Sequence, residues 1–354
     1  MAVVWYTIFL VFCMYVEGLK TDRIERRKVT LLFISVVVIA VLAGQRDIFF
    51  WPDTVGYYTA FTNSTPALGE YELWSRPPDY ADKGFFLLSV IIKTFTSDWV
   101  IYATTIALIG LLVMYMGISK YSIFPLFAFA LYISRFMFGL QFIQIRSGVA
   151  IAIVFWAMQY VHKRDLKRYF LVIFLASFIH SSVWIAFPAY FLNRLRLRPV
   201  HIYLGLATAY ILAAYFTPVI RTFVSESAAD MNVAMTYTTA EYGYKSTGKG
   251  LANPMIYYQM AVLIFFTFFE KELTKVTPYY ITLRNGYFYS TVWLTTLCSY
   301  SVLSGRGSSI LATYEIVMIP LFISVFHKKN KTLAYVLVAI LAVLWFYMNL
   351  GKRG

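Results

Sequence analysis

Six ionisable residues stand inside or at the ends of apolar stretches of this sequence: Arg46, Asp53, Asp82, Arg146, His180 and Arg306. An ionisable side chain within a membrane helix costs roughly 2.5–3.5 kcal/mol on insertion scales, so each needs a partner, an aqueous cavity or a chemical task. Arginines gathered at one edge suit a lipid-linked phosphate or diphosphate, because the guanidinium stays charged and matches phosphate oxygens two at a time. Carboxylates beside them suit removal of a proton from a sugar hydroxyl, and a histidine can take the same proton or hydrogen-bond the phosphate. Each residue alone also has an ordinary structural reading. Arg46 and Asp47 make a surface pair, or Arg46 reaches up to lipid headgroups. His180 packs as a hydrogen-bonded core histidine. Arg135 lies near a helix end, from which it reaches the interface, and is set aside. Chemistry is indicated by the grouping.

The elements that must position these residues are helices in a membrane. Of 354 residues, 60% are hydrophobic and 14% charged, more apolar surface than one soluble core can hide. Apolar stretches recur between short basic or polar links, which gives about eleven or twelve membrane segments, re-entrant or broken helices among them. The fold expected is therefore all-α, a polytopic transmembrane helical bundle, with residues 1–354 forming a single integral membrane domain. A transmembrane β-barrel is excluded, since residues 29–43 and 150–157 are apolar on every face and do not alternate. The net charge of +14 does not call for nucleic acid, because Lys and Arg lie mainly in the links that flank the apolar segments. Cys13 and Cys298 sit far apart in apolar segments and imply neither a disulfide framework nor zinc, and no acidic metal motif is present. The first segment, residues 2–16, has no basic start and no small-residue cleavage site after it, and reads as a retained helix.

The basic links orient the bundle. Residues 20–28 carry Lys20, Arg23, Arg26, Arg27 and Lys28 and should be cytoplasmic. Residues 29–44 then deliver a polar stretch, residues 45–83, to the other side as the first extracytoplasmic loop. From there to the basic link 162–168 the apolar runs are one too many for full crossings, so the short run 84–95, with Lys93 in it, is expected to be a half-helix or re-entrant piece. Residues 169–192 have basic links on both sides and His180, Ser181, Ser182 and Pro188 within, which fits either a broken helix hairpin or an exception to the positive-inside tendency. A second extracytoplasmic loop, residues 221–253, is rich in Tyr, Thr and Gly as suits a mobile lid. Arg146 opens a helix at its outer end, and Arg306 lies in an outer turn, residues 304–308.

Several of these pieces also form an ordered series. Residues 44–57 read GQRDIFFWPDTVGY, with Arg46, Asp53 and Tyr57, and residues 82–85 read DKGF. Residues 145–150 read IRSGVA, followed by Lys167-Arg168-Tyr169, His180-Ser181-Ser182, and Arg306 with Tyr314 and Pro320. In order and spacing the series resembles the EpsG family of Wzy-like polysaccharide polymerases, over most of the chain. Trp51-Pro52 stands where small residues are expected before the Asp, and Lys83 where Pro is frequent. The resemblance implies a fold like the multispanning GT-C glycosyltransferases, in a multi-pass protein of the bacterial inner membrane. It implies an enzyme that works without cofactor or metal at the outer face, joining oligosaccharide repeat units carried on undecaprenyl diphosphate. Arg146 and Arg306, with Arg46 assisting, would stabilise the departing diphosphate, and Tyr57 and Tyr314 would bind substrate. Asp53 would be the base, with Asp82 the alternative and His180 a further candidate. Lipid-linked oligosaccharides, membrane lipids, a chain-length regulator and a flippase of the same pathway are the partners this implies.

Two other functions use similar residues. A transporter or flippase for lipid-linked sugars needs arginines along a path through both leaflets, whereas here the charges fall on one side and no internal repeat is evident. A membrane O-acyltransferase could use His180 as its base, but its usual early pairing of His and Arg is not apparent.

Overall fold

A computed structural model describes residues 2–19, 22–51, 53–71, 82–195, 197–215, 249–326 and 330–351. The described residues are helical and form no sheet, in agreement with the all-α expectation. Five helices are long and apolar enough to cross a membrane: Arg27–Gly44, Trp99–Tyr121, Pro125–Ile143, Ile145–His162 and Lys331–Leu350. A sixth follows if the bent pair Val302–Ala312 and Glu315–Val325 is one span, and Ala2–Gly18, Pro199–Tyr215 and Pro254–Phe268 are shorter apolar helices. The second polar stretch, residues 221–253, lies outside the described residues up to position 248, as do residues 72–81 of the first. The chain divides into two compact units, residues 1–184 with 319–354, and residues 185–318.

The first unit begins with α1 (Ala2–Gly18) and α2 (Asp22–Gly44), followed by the short α3 (Thr54–Thr59) and the 13-residue α4 (Lys83–Phe95). The long α5 (Trp99–Tyr121) comes next, and then α6 (Pro125–Tyr132), opened by a proline suited to a first helical turn. From Ile133 to Ile143 the helix widens into π-turns, and the chain breaks at Gln144 before α7 (Ile145–His162) and α8 (Leu166–Ser177). α2 and α5 lie antiparallel: Phe33 meets Tyr115 edge-on at 5.9 Å, and past the end of α2 the Arg46 guanidinium lies 5.2 Å over the Trp99 ring that starts α5. The chain between them therefore leaves and returns at one end of the unit. At 13 residues α4 is shorter than the helices long and apolar enough to cross a membrane.

α5 and α7 run parallel, with Gly110 against Val149 and, further along both, Lys120 donating to the Gln159 side chain. The end of α2 and the starts of α5 and α7 thus share one end of the unit, opposite the start of α2. Loop 45–53 is fastened there. Trp51 stacks on Phe138 at 5.7 Å and lies 4.9 Å from Phe142, and the Thr54 hydroxyl donates to the Phe142 carbonyl at 3.1 Å. That carbonyl is available because the widened turns and the break leave main-chain acceptors outside the regular ladder, a common use of π-bulges near functional sites.

At the basic end, Lys28 on α2 pairs with Glu17 on α1 at 3.2 Å, and Glu17 also accepts from the Leu126 amide at 2.8 Å. Three helices are joined by one carboxylate that would be costly to bury alone. The C-terminal helix, Lys331–Gly351, closes on the same unit: Phe346 stacks on Tyr6 at 4.2 Å, and Asn349 donates to the Ser134 carbonyl at 2.8 Å. Arg135 lies over the rings of Phe136 and Trp345 at 5.0 and 4.3 Å, aromatic cover that gives this arginine a structural place.

The second unit contains α9 (Pro188–Arg194), α10 (Pro199–Tyr215), α11 (Pro254–Phe268), α12 (Glu270–Val276), α13 (Tyr280–Thr296) and α14 (Ser301–Ala312). α13 is its centre and packs on α9, α10, α11 and α14. Buried polar bonds tie α13 to its neighbours: Tyr287 donates to Glu315, just beyond α14, at 2.8 Å, and Ser290 to the Ser308 carbonyl of α14 at 2.8 Å. The expected outer turn at 304–308 is instead the middle of α14. Its small residues permit tight packing: a Cβ at Gly307 would fall 2.3 Å from the Trp293 indole nitrogen, and the same indole donates to the Leu303 carbonyl at 3.1 Å.

Candidate active site

The site is built around the start of α4. Asp82 occupies the N-cap position, yet its carboxylate does not cap its own helix. The Phe178 carbonyl, just beyond the end of α8, takes the amides of Gly84 at 2.8 Å and Phe85 at 3.2 Å. An acceptor from another segment thus does the work that an N-cap side chain usually does, and the Asp82 carboxylate is released to point elsewhere. Such close approach requires glycine at position 84, where a Cβ would lie 2.6 Å from Phe178 Cβ and 2.7 Å from its carbonyl oxygen.

The released carboxylate joins three segments. Asp82 Oδ2 accepts from Arg146 Nη1 at 2.8 Å and lies 3.5 Å from His180 Nδ1, and Oδ1 accepts from the Ser181 amide at 3.3 Å. Arg146 is the second residue of α7, where the helix dipole disfavours a cation, and the carboxylate opposes that penalty. Its Nε donates to the Tyr57 hydroxyl at 3.3 Å, which brings α3 into the cluster. His180 sits where the long apolar stretch 169–192 is interrupted, between α8 and a 3₁₀ turn at Ser181–Ala186. The stretch is therefore broken at its polar residues. Asp82 is 8% exposed, His180 12% and Arg146 24%, so the arginine is the member of the cluster most open to a ligand.

Arg46 is a second cation at this end of the unit. It is buried, donates from Nη1 to the Ala43 carbonyl at 2.8 Å and lies over Trp99, while its Nε and Nη2 have no hydrogen-bond partner among the described residues. Burial lowers its pKa to about 10, so it remains charged at neutral pH, and Tyr57 and Tyr102 are near enough to act on it electrostatically. The surface-pair reading of Arg46 with Asp47 does not describe this geometry: Asp47 accepts from the Phe49 amide at 2.8 Å in an exposed turn, and Arg46 faces inward.

Of the residues singled out in the sequence, Tyr57, Asp82, Arg146 and His180 meet. Asp53 is exposed at the start of α3 in left-handed backbone, φ 64° and ψ −15°, a costly conformation for a residue with a side chain. Arg306 and Tyr314 belong to the second unit, Arg306 half-buried within α14 and Tyr314 buried against Gly286. Sequence reading named Ser181 only within a motif and Lys28 only within a basic link, and did not single out Phe178 or the ion-paired Glu17, Glu270 and Arg284. Arg284 was detectable by the same rule that marked Arg146, as an arginine next to apolar sequence. Among the described residues no group of His, Cys, Asp and Glu has the arrangement of a metal site.

The arrangement offers a cation partly open to ligand, a second cation with unused donors, and a histidine whose Nδ1 side is turned to a carboxylate. It can hold an anion and receive a proton close by. A model of the EpsG family matches residues 29–353, nearly the whole chain. No curated protein and no solved structure matches.

Proposed function

The chain belongs to the EpsG family, and we propose on that footing that it lengthens a polysaccharide by transferring a growing glycan from a lipid diphosphate to an incoming lipid-linked repeat unit. Family and fold make it a multi-pass helical membrane protein of polysaccharide biosynthesis with glycosyltransferase-like character. The specific reaction is supported above all by the contact of Asp82 with both Arg146 and His180. In the proposed step a sugar hydroxyl of the incoming unit attacks the anomeric carbon of the growing glycan. The bond from that carbon to the diphosphate breaks, and the electron pair leaves with the lipid diphosphate. Negative charge grows on the departing group, where Arg146 and Arg46 stabilise it electrostatically.

Asp82 makes a poor base in this arrangement, since both of its oxygens are engaged by Arg146 and Ser181. Its fitting role is to turn His180 by the Nδ1 side, so that Nε2 takes the hydroxyl proton. Asp53, the base expected from the family resemblance, remains the alternative at the start of α3. The positive-inside tendency puts the cluster on the extracytoplasmic side, opposite the link 20–28, and the bacterial inner membrane is the proposed location. The substrates and pathway partners stand as proposals of the same kind.

Purified protein supplied with undecaprenyl-diphosphate-linked repeat units should form a ladder of longer glycans and release free lipid diphosphate. Transfer of the lipids between leaflets without a ladder would instead indicate transport and overturn the polymerase reading.

A further inference from the structure

A separate cavity opens at the basic end of the first unit, away from Asp82 and Arg146. It measures about 860 Å³, within the usual range for small-molecule sites, and lies between the end of α1, the start of α2, the α5–α6 link and the first turns of the C-terminal helix. Its walls are mainly apolar, and of its lining residues Val11 and Tyr15 are 58% and 67% exposed, as befits side chains that face acyl chains. One end is polar. Glu17 and Lys28 line it as an ion pair at 3.2 Å and cancel each other's charge, which leaves the ammonium of Lys331, beside Thr332, as the net charge of the lining. Lys331 has no ion pair among the described residues.

We propose that this cavity holds one anionic phospholipid, its phosphate at Lys331 and Thr332 and an acyl chain along Val11, Met14 and Tyr15. Charge complementarity selects this occupant: an apolar trough that ends in an uncompensated lysine fits a molecule with a long apolar body and a negative head. The sequence around it reinforces the sign, because residues 20–28 and 327–331 hold Lys and Arg well in excess of Asp and Glu. Basic residues at a membrane surface attract anionic lipids, each with a modest free energy. Such a lipid would bridge α1 and the C-terminal helix where the Glu17–Lys28 pair already joins α1 to α2. The inference does not depend on the polymerase reading.

The full-length protein, reconstituted in nanodiscs of equal phosphatidylglycerol and phosphatidylcholine and then transferred to mild detergent, would be examined by native mass spectrometry. One phosphatidylglycerol per chain should be retained in excess over phosphatidylcholine. Retention should fall roughly fivefold in Lys331→Ala and roughly thirtyfold in Lys331→Glu, and be unchanged in Lys271→Glu, a control at a lysine of α12 outside the cavity. Met14→Trp, which fills the wall and keeps the charge, should also displace the lipid. Equal retention of the two lipids, wild-type retention in Lys331→Glu or in Met14→Trp, or displacement by millimolar inorganic phosphate would each overturn the proposal.

Discussion

Two arginines of this molecule pair with carboxylates in opposite ways. In the second unit Arg284 is fully buried and every guanidinium nitrogen is used. Nη1 pairs with Glu270, Nη2 donates to the Leu197 carbonyl at 2.8 Å and Asn285 Oδ1 at 2.9 Å, and Nε to Asn285 Oδ1 at 3.2 Å. In the first unit Arg146 also has a carboxylate, but its side chain is 24% exposed and its partner is shared with a histidine. A closed network of the first kind holds helices together and leaves no site for substrate. An open one of the second kind holds a charge in place while leaving it available, which is what stabilising a departing anion requires. Burial of charge alone therefore does not mark function. The proposed function assigns the reaction to the arginine whose side chain is still partly exposed.

The largest expected effect lies at the open cluster. His180→Gln keeps the size and polarity of the side chain but removes the proton acceptor, and should lower polymerisation by about 10²–10⁴-fold with little change in melting temperature. A loss confined to Asp53→Asn, with His180→Gln active, would move the base to α3. Next comes Arg46→Ala, which removes a cation with unused donors and should cost about 10²-fold in turnover if it faces the diphosphate. Wild-type turnover would leave Arg46 a structural arginine over Trp99.

Gly84→Ala tests how the cluster is assembled. The added methyl must push Phe178 away, so about 1–3 kcal/mol of stability should be lost, and activity should fall further than stability because Asp82 leaves Ser181. Melting in detergent beside turnover separates the two losses; an unaffected variant would show that the Phe178 carbonyl is not what releases Asp82. The smallest effect belongs to Arg135→Ala, which loses cation–π contacts worth about 0.5–2 kcal/mol and should keep its turnover. A catalytic defect there would extend the open site to the π-turns.

Much of this was legible in the sequence because charge is expensive in a membrane. The cost of placing Arg146 and His180 in a membrane marked them, and the structure brings both to Asp82. Which carboxylate meets the arginine was not legible. Asp53 and Asp82 are equivalent in type and share a loop, and the choice depends on Phe178, whose carbonyl caps α4 from a distant part of the chain. No local pattern encodes that contact. The helix over Arg306 was missed because Gly-Arg-Gly-Ser-Ser reads as a turn, whereas the small residues there serve close packing against Trp293.

The contrast between the open and the closed arginine can be measured most directly by comparing Arg146→Ala with Arg284→Ala in one set of purified preparations, recording glycan ladder, lipid diphosphate release and thermal melting for each. Arg146→Ala should lose about 10²–10³-fold in turnover, far more than its loss of stability accounts for, since Asp82 keeps the Ser181 amide and His180 beside it. Arg284→Ala should lose about 3–5 kcal/mol of stability, because it empties the space of a fully buried guanidinium and takes the donors from the Leu197 carbonyl and the Asn285 side chain as well as from Glu270, while its folded fraction continues to polymerise. Wild-type turnover by Arg146→Ala, or abolished turnover in a fully stable Arg284→Ala, would contradict the assignment of the reaction to the Asp82–Arg146–His180 cluster.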